Sequence, residues 1–163
     1  YMKIKPPALH PDWLVAGFTE LINSIPTLNR ERIAEKVEDC ILLAFLFTQL
    51  DDLASVMAIK YNSLGYKHNI FKKAGVENLE KEYNVEIGYA FTKLEYRRKG
   101  YSHRLLQQLI VECSEKNVFA TIAVDNTVSI NLFMQCGFVK LGNEFKSKLG
   151  EYKLQLFGKK NIT

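Results

Sequence analysis

The amino-acid sequence predicts an α/β fold in which about four helices flank a mixed central sheet of about seven strands. Segments with helical apolar spacing alternate with short runs of β-branched and aromatic residues. Their order is strand, two helices, three strands, helix, strand, helix and two strands, which is typical of helices covering one sheet. The chain has 163 residues, of which 47% are hydrophobic, so it is long enough to bury a core. We therefore expect residues 1–163 to form a single domain.

The predicted strands are short apolar runs bounded by proline, glycine or polar residues. They are residues 3–5, 41–47, 55–61, 85–91, 120–124, 138–141 and 152–157.

The predicted helices carry apolar residues at helical spacing. The first begins at Asp12, a suitable N-cap that follows Pro11. The others are residues 30–39, 102–115 and 129–135, the last closed by Gly137 as a C′ glycine. Residues 62–83 are polar and predict an irregular insert between the third and fourth strands, with one helical turn near Phe71.

Composition narrows the class of protein. No apolar run approaches the roughly 20 residues of a membrane span, and the first residues lack the pattern of a secretory leader. The three cysteines form no C-x-x-C pair, and they make no metal-ligand spacing with the three histidines. We therefore expect a cytoplasmic protein with reduced thiols, no metal and no membrane partner. The net charge of +4 is modest, and no nucleic-acid recognition motif accompanies it, so nucleic acid is not an expected partner.

The segment Arg97-Arg98-Lys99-Gly100-Tyr101-Ser102 is where we expect the chemistry. It connects a predicted strand to a predicted helix, whose free N–H groups and dipole favour an anion. Gly100 can take a positive φ and lets a ligand approach the backbone. The neighbouring basic side chains add positive charge, so a pyrophosphate is the expected ligand.

This segment resembles the signature of the GNAT superfamily of acyl-coenzyme A-dependent N-acyltransferases. That signature is Gln or Arg, two residues, Gly, one residue, then Gly or Ala, and it stands here as Arg97-x-x-Gly100-x-Ser102. Ser102 departs mildly from it because serine is still small.

A second match supports the resemblance. In the family a strand ends at Asn, a helix carries a small residue and then Leu-Tyr, and Gly-Phe opens the next strand. This sequence has Asn126, Ser129, Leu132 and Gly137-Phe138 in that register. Asn126 can equally be a helix N-cap, since a cap and a cofactor contact use the same side-chain oxygen.

The resemblance implies acetyl-coenzyme A as the cofactor and a primary amine of a small molecule or protein as the acceptor. It also implies a set of contacts to coenzyme A. These residues are Phe91, Thr92, Arg97, Arg98, Lys99, Gly100, Tyr101, Ser102, Asn126 and Asn131.

Glu86 is the predicted general base, because a lysine-like amine has a pKa of about 10.4 and must lose a proton before it attacks. It lies 97 − 86 = 11 residues before Arg97, which matches the glutamate of the histone-acetylating branch. Strand alternation places it on one face with Gly88 and Ala90, whose small side chains are expected to leave room above the sheet. A merely solvated or salt-bridged carboxylate is the alternative.

Phe133 is the main departure from the family, which usually has a tyrosine there to protonate the departing thiolate. For a thiol with a pKa near 8.5, protonation of the thiolate at neutral pH is worth only about 2 kcal/mol, so the absence of the tyrosine hydroxyl does not exclude turnover. Possible substitutes for this acid are Tyr89, Tyr96, Tyr101 and Tyr152. Cys136 is expected to be a buried helix-end thiol rather than a nucleophile.

Three readings of function remain. The first is direct acetyl transfer, with the acceptor between residues 24–29, 62–83 and 143–151. The second is a catalytically weak or inactive module that binds coenzyme A or a protein, which Phe133 and the insert motivate. A nucleic-acid-associated protein ranks last. The sequence leaves a homodimer open and names no acceptor.

Overall fold

The computed structural model of the chain describes residues 1–161 and confirms the predicted α/β fold. Seven strands are hydrogen-bonded in the order β1-β2-β3-β4-β5-β7-β6. The strands are β1 Met2–Lys5, β2 Leu42–Phe47, β3 Leu53–Lys60, β4 Val85–Thr92, β5 Val118–Ala123, β6 Val139–Lys146 and β7 Lys153–Lys159. The helices are α1 Asp12–Ile22, α2 Ile33–Glu38, α3 Leu64–Lys73, α4 Tyr101–Glu112 and α5 Thr127–Gln135. Three 3₁₀ turns cover Pro7–Leu9, Glu77–Glu82 and Leu94–Tyr96.

The chain forms two compact units. The first contains residues 1–61 and 87–109, and the second contains residues 62–86 and 110–161 of the described chain.

The first unit is built on antiparallel pairing of β1 with β2 and of β2 with β3, where Ala44 pairs with Ile4 and with Met57. Helices α1 and α2 bury their apolar stripes against these strands. Phe18 of α1, for example, packs edge-on against Phe45 of β2, with ring centroids 5.6 Å apart. Val37 of α2 belongs to the same cluster of buried residues.

The second unit is built on β5, which pairs with the start of β4 in parallel and with β7 antiparallel. β6 pairs with β7 across an irregularity between Leu141 and Phe145. One face of these strands carries Phe119 and Leu156 and is covered by α3. Phe71 of α3 meets Phe119 edge-on at 5.3 Å between ring centroids.

The insert differs from the prediction, which was an irregular segment. Residues 64–73 form a full helix, and its Ile70 and Phe71 side chains belong to the core of the second unit. Ser63 caps this helix by accepting a hydrogen bond from the backbone N–H of Tyr66 at 3.2 Å. Phe71 and Tyr83 are the buried anchors of the insert, whereas Tyr61 is 64% exposed.

Two smaller predictions about helix starts were wrong. Pro11, not Asp12, is the N-cap of α1, and Asp12 is the first helical residue, where its charge complements the helix dipole. The second helix begins at Ile33 rather than Arg30, because Arg32 takes a left-handed conformation with φ of 53° that helix geometry excludes.

Within residues 1–161, no helix has the length and apolar character that crossing a bilayer requires.

Candidate functional site

The basic turn before α4 has a backbone shaped for an anion. Arg98 and Gly100 both have positive φ values, 61° and 75°, and alternation of left- and right-handed residues turns successive N–H groups toward one side of a chain. Helix α4 follows immediately at Tyr101. Its first N–H groups lack intrahelical acceptors, and the N–H of Arg104 bonds back to the carbonyl oxygen of Gly100 at 3.1 Å.

Gly100 faces open space. A Cβ built on it would meet no atom within 4 Å, so the glycine is required by its φ and not by crowding within the protein. The side chains of Arg97, Arg98 and Lys99 are exposed around it. A pyrophosphate can therefore approach this backbone closely.

Hydrogen bonds tie this turn to the end of β4. The Arg97 guanidinium donates from Nε to the carbonyl oxygen of Thr92 at 3.1 Å and lies 5.8 Å from the centre of the Phe91 ring. The hydroxyls of Thr92 and Ser102 are 2.6 Å apart. Ser55 of β3 adds to this series of hydrogen bonds. Its hydroxyl lies 2.8 Å from that of Thr92 and donates to the carbonyl oxygen of Phe91 at 3.2 Å. Strand end and helix start are thus held together by polar side chains.

Two tyrosines flank the turn. The Lys99 ammonium lies 5.3 Å from the centre of the Tyr96 ring, and that ring is 6.3 Å from the Tyr101 ring. The Tyr96 hydroxyl donates to Asp52 at 2.9 Å, and this hydrogen bond raises the pKa of Tyr96. Tyr96 is therefore a poor candidate for the acid, since its proton is already engaged by a carboxylate.

Strand β4 is bent at Tyr89, whose φ is 54°. A positive φ in a strand is an outlier for a tyrosine and breaks the regular alternation of side chains. The space over Gly88 is not open, contrary to the prediction. A Cβ there would come within 2.9 Å of the Lys60 side chain, whose ammonium lies 4.6 Å from the centre of the Tyr89 ring.

Glu86 is buried, with 1% of its surface exposed. Its Oε2 accepts a hydrogen bond from Asn62 Nδ2 at 2.8 Å, and its Oε1 accepts one from the Thr121 hydroxyl at 3.1 Å. The alternative of a solvated carboxylate therefore does not describe this side chain. Its carboxyl is instead held on both oxygens by protein groups.

The second motif forms the predicted helix and turn. Asn126 is the N-cap of α5 and accepts from the N–H of Ser129 at 3.2 Å. Gly137 has a φ of 91° just after the helix, as a C′ glycine should. Phe133 is 3% exposed and packs edge-on against Phe138 at 4.9 Å between ring centroids. Asn131 is exposed.

The cysteines show no sign of activation. Burial raises the pKa of Cys113 to about 11 and also raises the pKa of Cys136, whereas reactive cysteines have a lowered pKa. Within the described part of the chain, no group of three or more His, Cys, Asp or Glu residues could hold a metal ion.

Four residues that touch these groups were missed by sequence reasoning, namely Ser55, Lys60, Asn62 and Thr121. Thr121 and Ser55 are single hydroxyls inside strands, where such residues are common. Lys60 is the last residue of β3 and lies within a segment that was predicted as a strand, whereas Asn62 opens the insert that was predicted to be irregular. The strand register that places Thr121 near Glu86 is set by long-range pairing and carries no local signal.

Known proteins resemble this chain in sequence and in fold. Residues 31–138 match the model of the acetyltransferase (GNAT) family. Among proteins with curated descriptions, none matches the sequence.

Several solved structures share the fold. An acyl-CoA N-acyltransferase from Pseudomonas aeruginosa superposes with a TM-score of 0.67 at 10% identity, covering 98% of this chain and 99% of its own. NAA60 of Arabidopsis thaliana, in complex with a bisubstrate analogue, gives 0.68 at 12% identity over 97% of each chain. Naa50 of the same plant, in complex with the analogue CoA-Ac-MVNAL, gives 0.66 at 14% identity over 98% of each chain.

The family match covers both motifs, the basic turn and Glu86. It extends over more than half of the sequence, and the architecture of its solved neighbours agrees with it. The chain therefore belongs to the acetyltransferase (GNAT) family and is an acetyl-coenzyme A-dependent N-acyltransferase.

Proposed function

We propose that this enzyme moves the acetyl group of acetyl-coenzyme A directly to a primary amine, with Glu86 as the general base and the basic turn as the pyrophosphate site. The observation that carries the proposal is the turn itself. Gly100 combines a φ of 75° with open space around it, between three exposed basic side chains and the start of a helix.

Coenzyme A fits the residues of this turn. The N–H groups at the start of α4, with Arg97, Arg98 and Lys99, would hold the pyrophosphate. Phe91 and Thr92 at the end of β4 would offer main-chain groups to the pantetheine arm. Asn126 and Asn131 are the further contacts we propose, Asn126 in addition to its role as a helix cap. The cofactor supplies the acetyl thioester.

The proposed transfer begins at the amine. An acceptor with a pKa near 10.4 is almost wholly protonated at neutral pH, so Glu86 would take one proton from its ammonium group. The neutral nitrogen then attacks the thioester carbonyl. As the new C–N bond forms, the C–S bond breaks, and the coenzyme A thiolate receives the second proton lost from nitrogen.

The hydrogen bonds of Glu86 suit it to this role, because they hold both oxygens of its carboxyl in place. The state of Cys136 supports direct transfer, since burial raises the pKa of its thiol and so disfavours an acyl-cysteine intermediate.

Departure of the thiolate requires little assistance from a general acid of the protein. With Phe133 buried against Phe138, we propose that coenzyme A departs as the thiolate, at a cost of about 2 kcal/mol at neutral pH, and takes up the second proton from nitrogen once it has left. The acceptor is a small molecule or a protein. A cytoplasmic location is consistent with the three free cysteines.

The test is release of free thiol from acetyl-coenzyme A in the presence of a panel of small primary amines and peptide N-termini. We expect amine-dependent release by the native enzyme, and a loss of roughly 10²- to 10⁴-fold in kcat for Glu86→Gln. Glu35→Gln is the matched control, because Glu35 is an exposed carboxylate paired with Arg32 and lies outside the segments expected to border the acceptor.

Two results would contradict the proposal. No amine-dependent thiol release by the native enzyme would leave a module that binds coenzyme A without turnover. Full activity of Glu86→Gln would place the base elsewhere.

A further inference from the structure

The side chain of Asn62, in the insert, contacts the proposed general base Glu86. Asn62 lies between the end of β3 at Lys60 and the cap of α3 at Ser63. Its Nδ2 donates to Oε2 of Glu86 at 2.8 Å. The Ser63 hydroxyl stabilises the first turn of α3 by accepting a hydrogen bond from the backbone N–H of Tyr66. Asn62 directly precedes Ser63, so its backbone is anchored by the start of this helix.

The second donor to Glu86 comes from the neighbouring strand. Glu86 pairs in register with Phe119 of β5, and Thr121 stands two residues further on the same face. The Thr121 hydroxyl donates to Oε1 at 3.1 Å. A threonine in a strand has few accessible χ1 rotamers, so the orientation of this donor is restricted.

The two donors hold different oxygens of one carboxyl and come from different elements. A carboxylate that is 1% exposed needs such donors, since burying one without hydrogen bonds is costly. Both donors are uncharged, so they orient the group without a formal positive charge of their own.

We propose that Asn62 and Thr121 are positioning residues that hold the carboxyl of Glu86 in the orientation required for proton transfer. This proposal rests on the proposed function of Glu86. It gives the insert a part in the reaction, because Asn62 is its first residue, and it assigns roles to two side chains outside both family motifs.

The first experiment compares kcat, KM for the amine and the affinity for acetyl-coenzyme A in Thr121→Val, Thr121→Ser and Asn62→Ala. Valine has the shape of threonine without its hydroxyl, whereas serine retains the hydroxyl. We expect kcat to fall about tenfold in Thr121→Val and Asn62→Ala, as a misplaced base loses part of its contribution. Thr121→Ser should keep kcat within about threefold. Acetyl-coenzyme A affinity should stay within about twofold in all three.

The second experiment repeats the substitutions in a Glu86→Gln background. Residues that act only through Glu86 should then cause no further loss of kcat, since effects within one unit are not additive.

The outcomes separate the two proposals. If the native enzyme turns over and Glu86→Gln does not, but Thr121→Val and Asn62→Ala keep native kcat, the positioning role is overturned and the base remains. If these variants lose as much kcat in the Glu86→Gln background as in the native one, their effect is general and the positioning role is again overturned. If Glu86→Gln keeps native kcat, the proposed role of Glu86 as the base and the positioning roles of Asn62 and Thr121 are all overturned.

Discussion

Cys136 lies at the end of α5, where partial burial raises the pKa of its thiol. A nucleophilic cysteine needs the opposite shift. We therefore expect Cys136→Ala to keep kcat within about twofold, since direct transfer uses no covalent intermediate. Steady-state kinetics with a responsive amine measures this. A loss of more than a hundredfold, together with acetylated protein in the mass spectrum of the native enzyme, would instead indicate an acyl-cysteine.

His10 is a second residue whose surroundings decide its chemistry. Its ring is 7% exposed, packs edge-on against Phe45 and makes a 3.1 Å hydrogen bond with the carbonyl oxygen of Lys5. Burial lowers the pKa of His10 below its ordinary value of 6.5, and the nearby Lys5 and Lys3 lower it further.

This shift has a consequence for stability. Below pH 6.5 the unfolded chain binds a proton at His10 that the folded chain binds less readily, so the free energy of unfolding decreases as the pH falls through that value. We expect urea unfolding between pH 7.5 and 5.5 to show this decrease, and His10→Gln to show a smaller one. Equal slopes for the two proteins would contradict the assignment.

Helix α3 occupies the connection between β3 and β4. It buries Phe71 completely, with the Phe119 ring at 5.3 Å and the Tyr83 ring at 5.9 Å. Gly142 of β6 also sits close to the end of this helix, where a Cβ would meet the Ala74 carbonyl oxygen at 2.1 Å. The insert is thus part of the core of its unit.

We expect Phe71→Ala to lower the free energy of unfolding by about 3–5 kcal/mol, the cost of removing a buried phenylalanine. Tyr61→Ala is the control, because Tyr61 precedes the insert and is 64% exposed, and its effect should lie within about 0.5 kcal/mol. Urea unfolding followed by circular dichroism gives both values. A loss of under about 1 kcal/mol for Phe71→Ala would mean that the insert is a loosely attached arm.

The elements show what the sequence could and could not predict. Strands and helices with strong apolar periodicity were predicted to within a few residues, as was Gly137 as a C′ glycine. The helix cap was one of the two roles that the sequence left open for Asn126. The helix over 64–73 was missed although Ile70, Phe71 and Ala74 have helical spacing, because Gly65 and a polar run dilute its first turns. The left-handed φ of Tyr89 was not predictable, since a tyrosine rarely takes such a φ.

At the scale of the whole molecule, the fold and family were predictable because two motifs stand in order along the chain with glycines at positions of positive φ. The partners of Glu86 were not predictable, because a register of strands and the start of an insert bring Thr121 and Asn62 to it. That residues 1–163 act as one domain stays a prediction, as do the contacts proposed for coenzyme A.

The central claim is that the turn around Gly100 binds the pyrophosphate of acetyl-coenzyme A. Gly100→Glu would place a carboxylate in the open space where the phosphates are expected, and like charges repel there. Gly150→Glu is a close control. Gly150 has a φ of 72° against 75° for Gly100, and a Cβ at either position meets no atom within 4 Å. The backbone strain of the two substitutions should therefore be similar.

The most direct measurement is calorimetric titration of acetyl-coenzyme A into the native protein and these two variants. We predict micromolar binding by the native protein and by Gly150→Glu, and a loss of at least about a hundredfold in Gly100→Glu, equivalent to about 2.7 kcal/mol. Native-like affinity in Gly100→Glu, or no binding by the native protein, would contradict the account.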